Sequence, residues 1–182
     1  HRSMVPIGSI TNGVHVPSFI GPEMRDLLDT YLGLNWDNDV PALERWERLD
    51  NVPDNLLWEA KLEMKQRLMV AVRDYVAQNW YGDKETALTR DEVLSRLRSS
   101  TLTVGFARRF APYKRATLLF SDLDRLDRIV NNPRLPVQFL FAGKAHPADK
   151  AGADLIKVIV ELSKQNDFIG KIIFLEDYNI SL

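Results

Sequence analysis

Arg108, Arg109, Lys114 and Arg115 fall within residues 108–115, directly after an alternating run of Leu102, Val104 and Phe106. Alternation of this kind reads as a strand, and charge placed where a strand ends serves no packing purpose. Guanidinium forks and an ammonium gathered at one point suit an oxyanion, and phosphate above all. Each charge-assisted hydrogen bond there would contribute about 1.5–3 kcal/mol. The cluster belongs to a wider basic island: no Asp or Glu lies between Glu92 and Asp122, whereas Arg96, Arg98, Arg108, Arg109, Lys114 and Arg115 all do. Spacing alone leaves a second reading open, that of ordinary solvated surface charge.

Other chemistries are poorly supported. "FAGKAHP" contains Gly143-Lys144 but has no upstream glycine at P-loop spacing and no Ser or Thr after the lysine. Neither G-x-G-x-x-G nor G-x-S-x-G occurs, which argues against a nucleotide triphosphatase, a dinucleotide-dependent dehydrogenase and an α/β-hydrolase. His1, His15 and His146 form no metal-ligand pattern, and no metal is expected. Without cysteine there is no disulfide framework and no thiolate nucleophile. Trp36, Trp46, Trp58 and Trp80 are expected in cores rather than stacked on sugars.

The elements that must position the cations follow from periodicity. The 182 residues are 45% hydrophobic and carry 24 Lys and Arg against 25 Asp and Glu, so the chain has neither the basic excess of a nucleic-acid binder nor an acidic tail. No apolar run approaches the roughly 20 residues that span a bilayer. A cytoplasmic protein with neither nucleic acid nor membrane as partner is the expectation. Residues 1–98 read as a mainly helical segment. Pro22 after Gly21 suits a helix start, with Met24, Leu27, Leu28 and Tyr31 on one face. Asp54 suits the cap of a long helix burying Leu57, Ala60, Met64, Leu68, Ala71, Val72 and Tyr75. Thr89 and Glu92 have capping-box spacing for a third helix.

Residues 99–182 change period. After the strand ending at Phe106, Leu118, Leu119, Leu123, Leu126, Ile129 and Val130 return to helical spacing, with a helix opening near Tyr113. "PVQFLFAG" from Pro136 reads as a buried strand, Leu155, Ile156, Ile159 and Leu162 mark a helix face, and "KIIFLED" from Lys171 is a third strand. This βαβαβ series predicts an α/β fold: a partial Rossmann-like parallel sheet covered on both faces. In such sheets ligands bind beyond the carboxyl ends of the strands, which here are marked by Arg108 and Arg109, by Lys144, and by Glu176, Asp177 and Tyr178.

Four segments taken together, "SITNGVHVPSF", "VGFARRFAPYKRATLLF", "FAGKAHPAD" and "IIFLEDYNISL", resemble the α-glucan phosphorylases (glycogen, starch and maltodextrin phosphorylases), and most of all their bacterial and archaeal branch. The resemblance covers nearly the whole chain. It implies the start of the C-terminal lobe of a GT-B-type glycosyltransferase fold. It also implies a pyridoxal 5'-phosphate-dependent reaction of α-1,4-glucan with inorganic phosphate to give glucose 1-phosphate with retention, in an enzyme that is commonly a homodimer. Matching positions make Arg109 the holder of substrate phosphate and Lys114 a lysine reaching phosphate groups at the site. Arg108 stands where mammalian members have a lysine near the cofactor phosphate, Phe19 lies where a residue close to the cofactor ring is expected, and Tyr178 matches a residue lining the cofactor pocket. Asn12 matches an asparagine on the glucosyl unit. No chemistry is assigned to His15, Lys144 or His146. The family's Schiff-base lysine falls after Leu182 and its first lobe before His1, so this stretch alone is expected to be an inactive fragment. Two alternatives are a retaining nucleotide-sugar glycosyltransferase of the glycogen synthase type, which also grips a diphosphate with Arg and Lys, and a non-catalytic module that binds an anion or a partner through the basic island.

Overall fold

The computed structural model describes residues 8–38, 43–79 and 87–176; the expectations for Trp80, Asp177 and Tyr178 lie outside them. The chain forms two compact units, His1–Met64 and Lys65–Leu182.

The first unit is helical. Helix α1 (Val16–Phe19) leads to α2 (Pro22–Leu32), which starts at Pro22 as expected because proline's missing N–H is no loss at a helix's first position. A 3-10 turn at Trp36–Asn38, helix α3 (Leu43–Trp46) and a second 3-10 turn at Glu47–Asn51 follow. Leu28, Leu32 and Trp36 form the core, with Val16, Ile20, Met24, Trp46 and Leu49 packed around them. The indole N–H of Trp36 donates to the Asp29 carboxylate at 2.9 Å, so its polar edge is satisfied where the ring is buried.

Helix α4 (Asp54–Gln78) crosses the division between the units. Its first turn closes on Pro53, whose carbonyl accepts from the Leu56 and Leu57 N–H groups. The cap is therefore one residue earlier than expected, and Asp54 is already helical. The expected face is also displaced: Leu57 is exposed, and Met69 and Val76 are buried beside Val72. Trp58 is exposed too, against the expectation of burial.

The second unit is a three-stranded parallel sheet in the order β1 (Leu102–Ala107), β2 (Val137–Ala142), β3 (Ile172–Leu175). One face of β2 and β3 presents Leu140, Ala142, Ile173 and Leu175. It meets Met69, Val72 and Val76 of α4, together with Val93 of helix α5 (Ala87–Arg96) and Leu97 just beyond it. The other face presents Phe141 and Ile172 to Leu126 and Val130 of α6 (Leu123–Val130) and Ile159 of α7 (Lys150–Ser163), with Phe106, Phe139 and Phe174 alongside. Each such aliphatic or aromatic side chain contributes roughly 1.5–3 kcal/mol on full burial.

Two expectations need correction here. Helix α5 already includes Ala87, before the capping box at Thr89. The sheet is covered on both faces at β2 and β3, but on β1 Leu102 and Val104 remain 62% and 42% exposed, because α6 and α7 pack over β2 and β3. Among the described residues no helix is long and apolar enough to cross a membrane.

Candidate functional site

The register sets Ala107 against Ala142 and Ala142 against Leu175. Because all three strands run the same way, Arg108, Arg109, Lys144 and Glu176 leave the sheet at one end. Pairing continues past the strand tips. The Arg108 N–H donates to the Ala142 carbonyl at 3.1 Å, and the Phe110 N–H donates to the Lys144 carbonyl at 3.0 Å. Phe110 is 1% exposed, with ring centroids 5.7 Å from Phe106 and 5.6 Å from Phe174. Arg109 is thus the exposed middle residue of a stretch whose neighbours are tied down.

Beyond it, the expected helix opening near Tyr113 is a three-residue 3-10 turn, Pro112–Lys114. The Lys114 and Arg115 N–H groups are taken by the carbonyls of Ala111 and Pro112, and Pro112 has none to give. No free N–H cluster of a helix start therefore faces an anion at this turn. Arg115 lies in the left-handed region, φ 54° and ψ 41°, at a cost of about 1–2 kcal/mol. It separates this turn from a second 3-10 segment, Ala116–Ser121. The α-helical face expected from Leu118 onward begins only at Leu123, where the Asp122 carboxylate caps α6 by accepting from the Arg125 N–H.

Arg108 and Arg109 are exposed, and their side chains make no hydrogen bond or ion pair among the described residues. Lys114 is half-buried, its ammonium 5.5 Å from the centroid of the Tyr113 ring. A cation over an aromatic face keeps its full charge available to a further anion. The structure thus brings Arg108, Arg109, Lys114 and the exposed Lys144 to one end of the sheet. Asn12 and Phe19 belong to the other unit and are both exposed, and Tyr178 lies outside the described residues.

His146 and His15 make local contacts. The His146 Nδ1 accepts the Ala148 N–H at 3.1 Å, and the His146 carbonyl accepts from Asp149, whose carboxylate in turn caps α7 through the Gly152 N–H. His15 Nδ1 is 2.8 Å from the Ser18 hydroxyl. No cluster of potential metal ligands occurs among the described residues. A shallow depression of about 550 Å³ is lined by Asp122, Arg125, Arg128, Ile129, Asn132 and Leu135, the last two leading into the amino end of β2. Gly143 and Phe110 escaped the sequence reading. The signal was a glycine closing the apolar run "FLFAG", which can mark a close backbone approach.

A short parallel sheet with helices on its faces makes this an α/β fold whose strand tips carry a cluster of cations. No protein-family model matches the chain. It is 42% identical to a glycogen phosphorylase of Aquifex aeolicus over 96% of its own length and 25% of the relative's. It is 38% identical to a maltodextrin phosphorylase of Thermococcus litoralis over 97% and 21% of the two lengths. With a glycogen phosphorylase of Mycobacterium tuberculosis it shares 35% identity over 98% and 20%. The chain spans a quarter or less of the length of these curated relatives. Over that segment it belongs to the α-glucan phosphorylase family.

Proposed function

We propose that this chain supplies the phosphate-holding strand tips of an α-1,4-glucan phosphorylase, which transfers a terminal glucosyl unit to inorganic phosphate as glucose 1-phosphate with retention. The observation that carries the reading is the presentation of Arg108, Arg109 and Lys114 at the carboxyl end of a parallel sheet with no carboxylate partner among the described residues. Two phosphates brought side by side repel strongly unless neutralised. Three cations within seven residues of chain meet that need, and their positioning and charge stabilisation carry the catalysis. Arg109 holds the reactant phosphate, Lys114 reaches both phosphates, and Arg108 faces that of the cofactor.

The donor set fits pyridoxal 5'-phosphate: guanidinium and ammonium groups match a phosphate dianion. When bound, that group supplies a phosphate able to exchange a proton with the reactant. By the family resemblance, Phe19 would be the residue near the cofactor ring, Tyr178 a residue of the cofactor pocket and Asn12 the contact to the glucosyl unit. In this reading residues 99–182 are the opening βαβαβ portion of the C-terminal lobe of a GT-B fold, and residues 1–98 are its helical approach. Incubating the full-length protein with a maltooligosaccharide and inorganic phosphate tests the proposal. Glucose 1-phosphate release is expected. Glucosyl transfer from a nucleotide-glucose, with no phosphorolysis, would overturn it.

A further inference from the structure

An arginine that grips phosphate through two parallel bonds tolerates only about 0.5 Å of misplacement, so whatever fixes the backbone of Arg109 also fixes the site. The residues on either side of Arg109 are bonded to the residues on either side of Gly143: Arg108 to Ala142 and Phe110 to Lys144. Continued past the strand tips, the register sets Gly143 beside Arg108 and Lys144 beside Arg109, so Gly143 abuts the residue whose carbonyl forms the peptide bond leading into Arg109. The approach is too close for any side chain. A Cβ on Gly143 would lie 2.1 Å from the Arg108 carbonyl oxygen and 3.1 Å from the Phe110 ring, and the residue has a φ of +150°. A second glycine closes on the same stretch from α7. A Cβ on Gly152 would lie 2.5 Å from the Phe110 carbonyl oxygen. Each glycine thus meets one carbonyl flanking Arg109.

The geometry points to Gly143 as the positioning residue for Arg109, with Gly152 as the other half of the same clamp. The inference rests on the phosphorylase reading and adds to it how the phosphate-holding arginine is kept in register. A methyl group at position 143 must push the Arg108 carbonyl back by roughly 1 Å, and a misplacement of that size costs about 100-fold in rate. The part of the effect that passes through Arg109 vanishes when the guanidinium is gone, and only what passes through Arg108 is left.

The test is a double-mutant cycle on Gly143→Ala and Arg109→Ala in the full-length protein, read as kcat/KM for inorganic phosphate and KM for glucan. Gly143→Ala is expected to lower kcat/KM for phosphate about 100-fold with little change in the KM for glucan. In the Arg109→Ala background the same change is expected to cost at least about 10-fold less, the signature of coupled residues. Losses that multiply in full would mean a merely structural glycine and would overturn the inference. Should Gly143→Ala fail to fold, Phe110→Leu, which loosens the anchor without adding atoms near the backbone, carries the same cycle with the same deciding outcomes. If Arg109→Ala alone leaves phosphorolysis intact, the phosphorylase reading of the site fails. If Arg109→Ala abolishes it while Gly143→Ala matches wild type, only the clamp fails.

Discussion

The two ends of the sheet use positive charge in opposite ways. At the amino end several cations are committed to the chain itself. Lys65 donates to the Thr101 carbonyl, and Arg96 donates to the Ile169 carbonyl at 2.9 Å and to the Glu92 carboxylate. Lys171 is the exception at this end, since burial and Arg96 outweigh Asp127 and Asp167 and disfavour its charge. At the carboxyl end Arg108 and Arg109 have no such partners among the described residues, and Lys114 has only an aromatic ring. Charge satisfied internally stabilises a fold, whereas charge left facing outward at a fixed point is available to a ligand. The contrast predicts that substitutions at the amino end cost stability and spare phosphate binding, and that substitutions at the carboxyl end do the reverse.

The largest effect should come from Arg109→Ala. Loss of a bidentate, charge-assisted contact removes about 3 kcal/mol or more of transition-state stabilisation, so phosphorolysis by the full-length protein should fall about 100-fold or more. Its thermal stability should stay within about 0.5 kcal/mol of wild type, since an exposed side chain without partners is removed. A melting temperature that collapses together with activity would erase the distinction between the two ends.

Gln138 sharpens the other side of the contrast. It lies at the amino end of β2, is 1% exposed, and joins several polar groups. Its amide N–H₂ faces the Thr103 hydroxyl at 2.7 Å, the Arg98 carbonyl at 3.1 Å and the Met69 sulfur at 3.3 Å, and its carbonyl accepts the Arg98 N–H at 3.4 Å. Two hydrogens serve three acceptors, and the weak sulfur acceptor gains least. Thr103 passes the chain on by donating to the Thr101 carbonyl at 3.1 Å. Gln138→Ala strands these groups and should cost about 1–3 kcal/mol of stability, measured by urea unfolding, with the KM for phosphate unchanged. A shifted phosphate KM would show that the two ends are coupled through β2.

What the sequence disclosed and what it withheld divide along physical lines. The strands were legible because "LTVGFA", "VQFLFA" and "IIFL" have strand-like patterning between turn signals. The cations were legible because strand ends in a parallel sheet are where ligand groups gather. The path from Pro112 to Ser121 was not, since two 3-10 segments around a left-handed Arg115 satisfy nearly the same apolar spacing as one helix. The exposure of Leu102 and Val104 was hidden as well, for a strand's own pattern does not say which neighbours cover it. For Gly143 the sequence offered only the hint of a glycine closing an apolar run, because its constraint is a distance to a residue 35 positions earlier.

Arg96→Met is expected to have a smaller effect than Gln138→Ala. The Arg96 side chain is about one-third exposed, and its bond to the Ile169 carbonyl is the part most protected from water. Losing it should cost about 1–2 kcal/mol, with phosphorolysis at wild-type level. The apolar replacement keeps the packing of the arginine stem, whose Cδ would lie 2.8 Å from a Cβ placed on Gly170. Activity lost at unchanged stability would contradict the division of roles.

The smallest effect is a pH dependence carried by Lys171, and its sign follows from what surrounds the ammonium. Burial lowers its pKa from the ordinary 10.5, Arg96 lowers it further, and Asp127 and Asp167 pull it back part of the way. The folded state therefore releases this proton at a lower pH than the unfolded chain does. Below the depressed pKa both states hold the proton and the fold bears the full cost of the charge. Between that pKa and 10.5 the unfolded state binds more protons, so stability contributed by this group rises with pH. The stability difference between wild type and Lys171→Met, measured by urea unfolding at successive pH values, should shift in favour of wild type through that window. The shift should shrink in an Arg96→Met background, where one of the charges opposing the ammonium is gone. A difference that stays flat or moves the other way would mean that Asp127 and Asp167 outweigh burial, and that the amino end holds its lysine as a true ion pair.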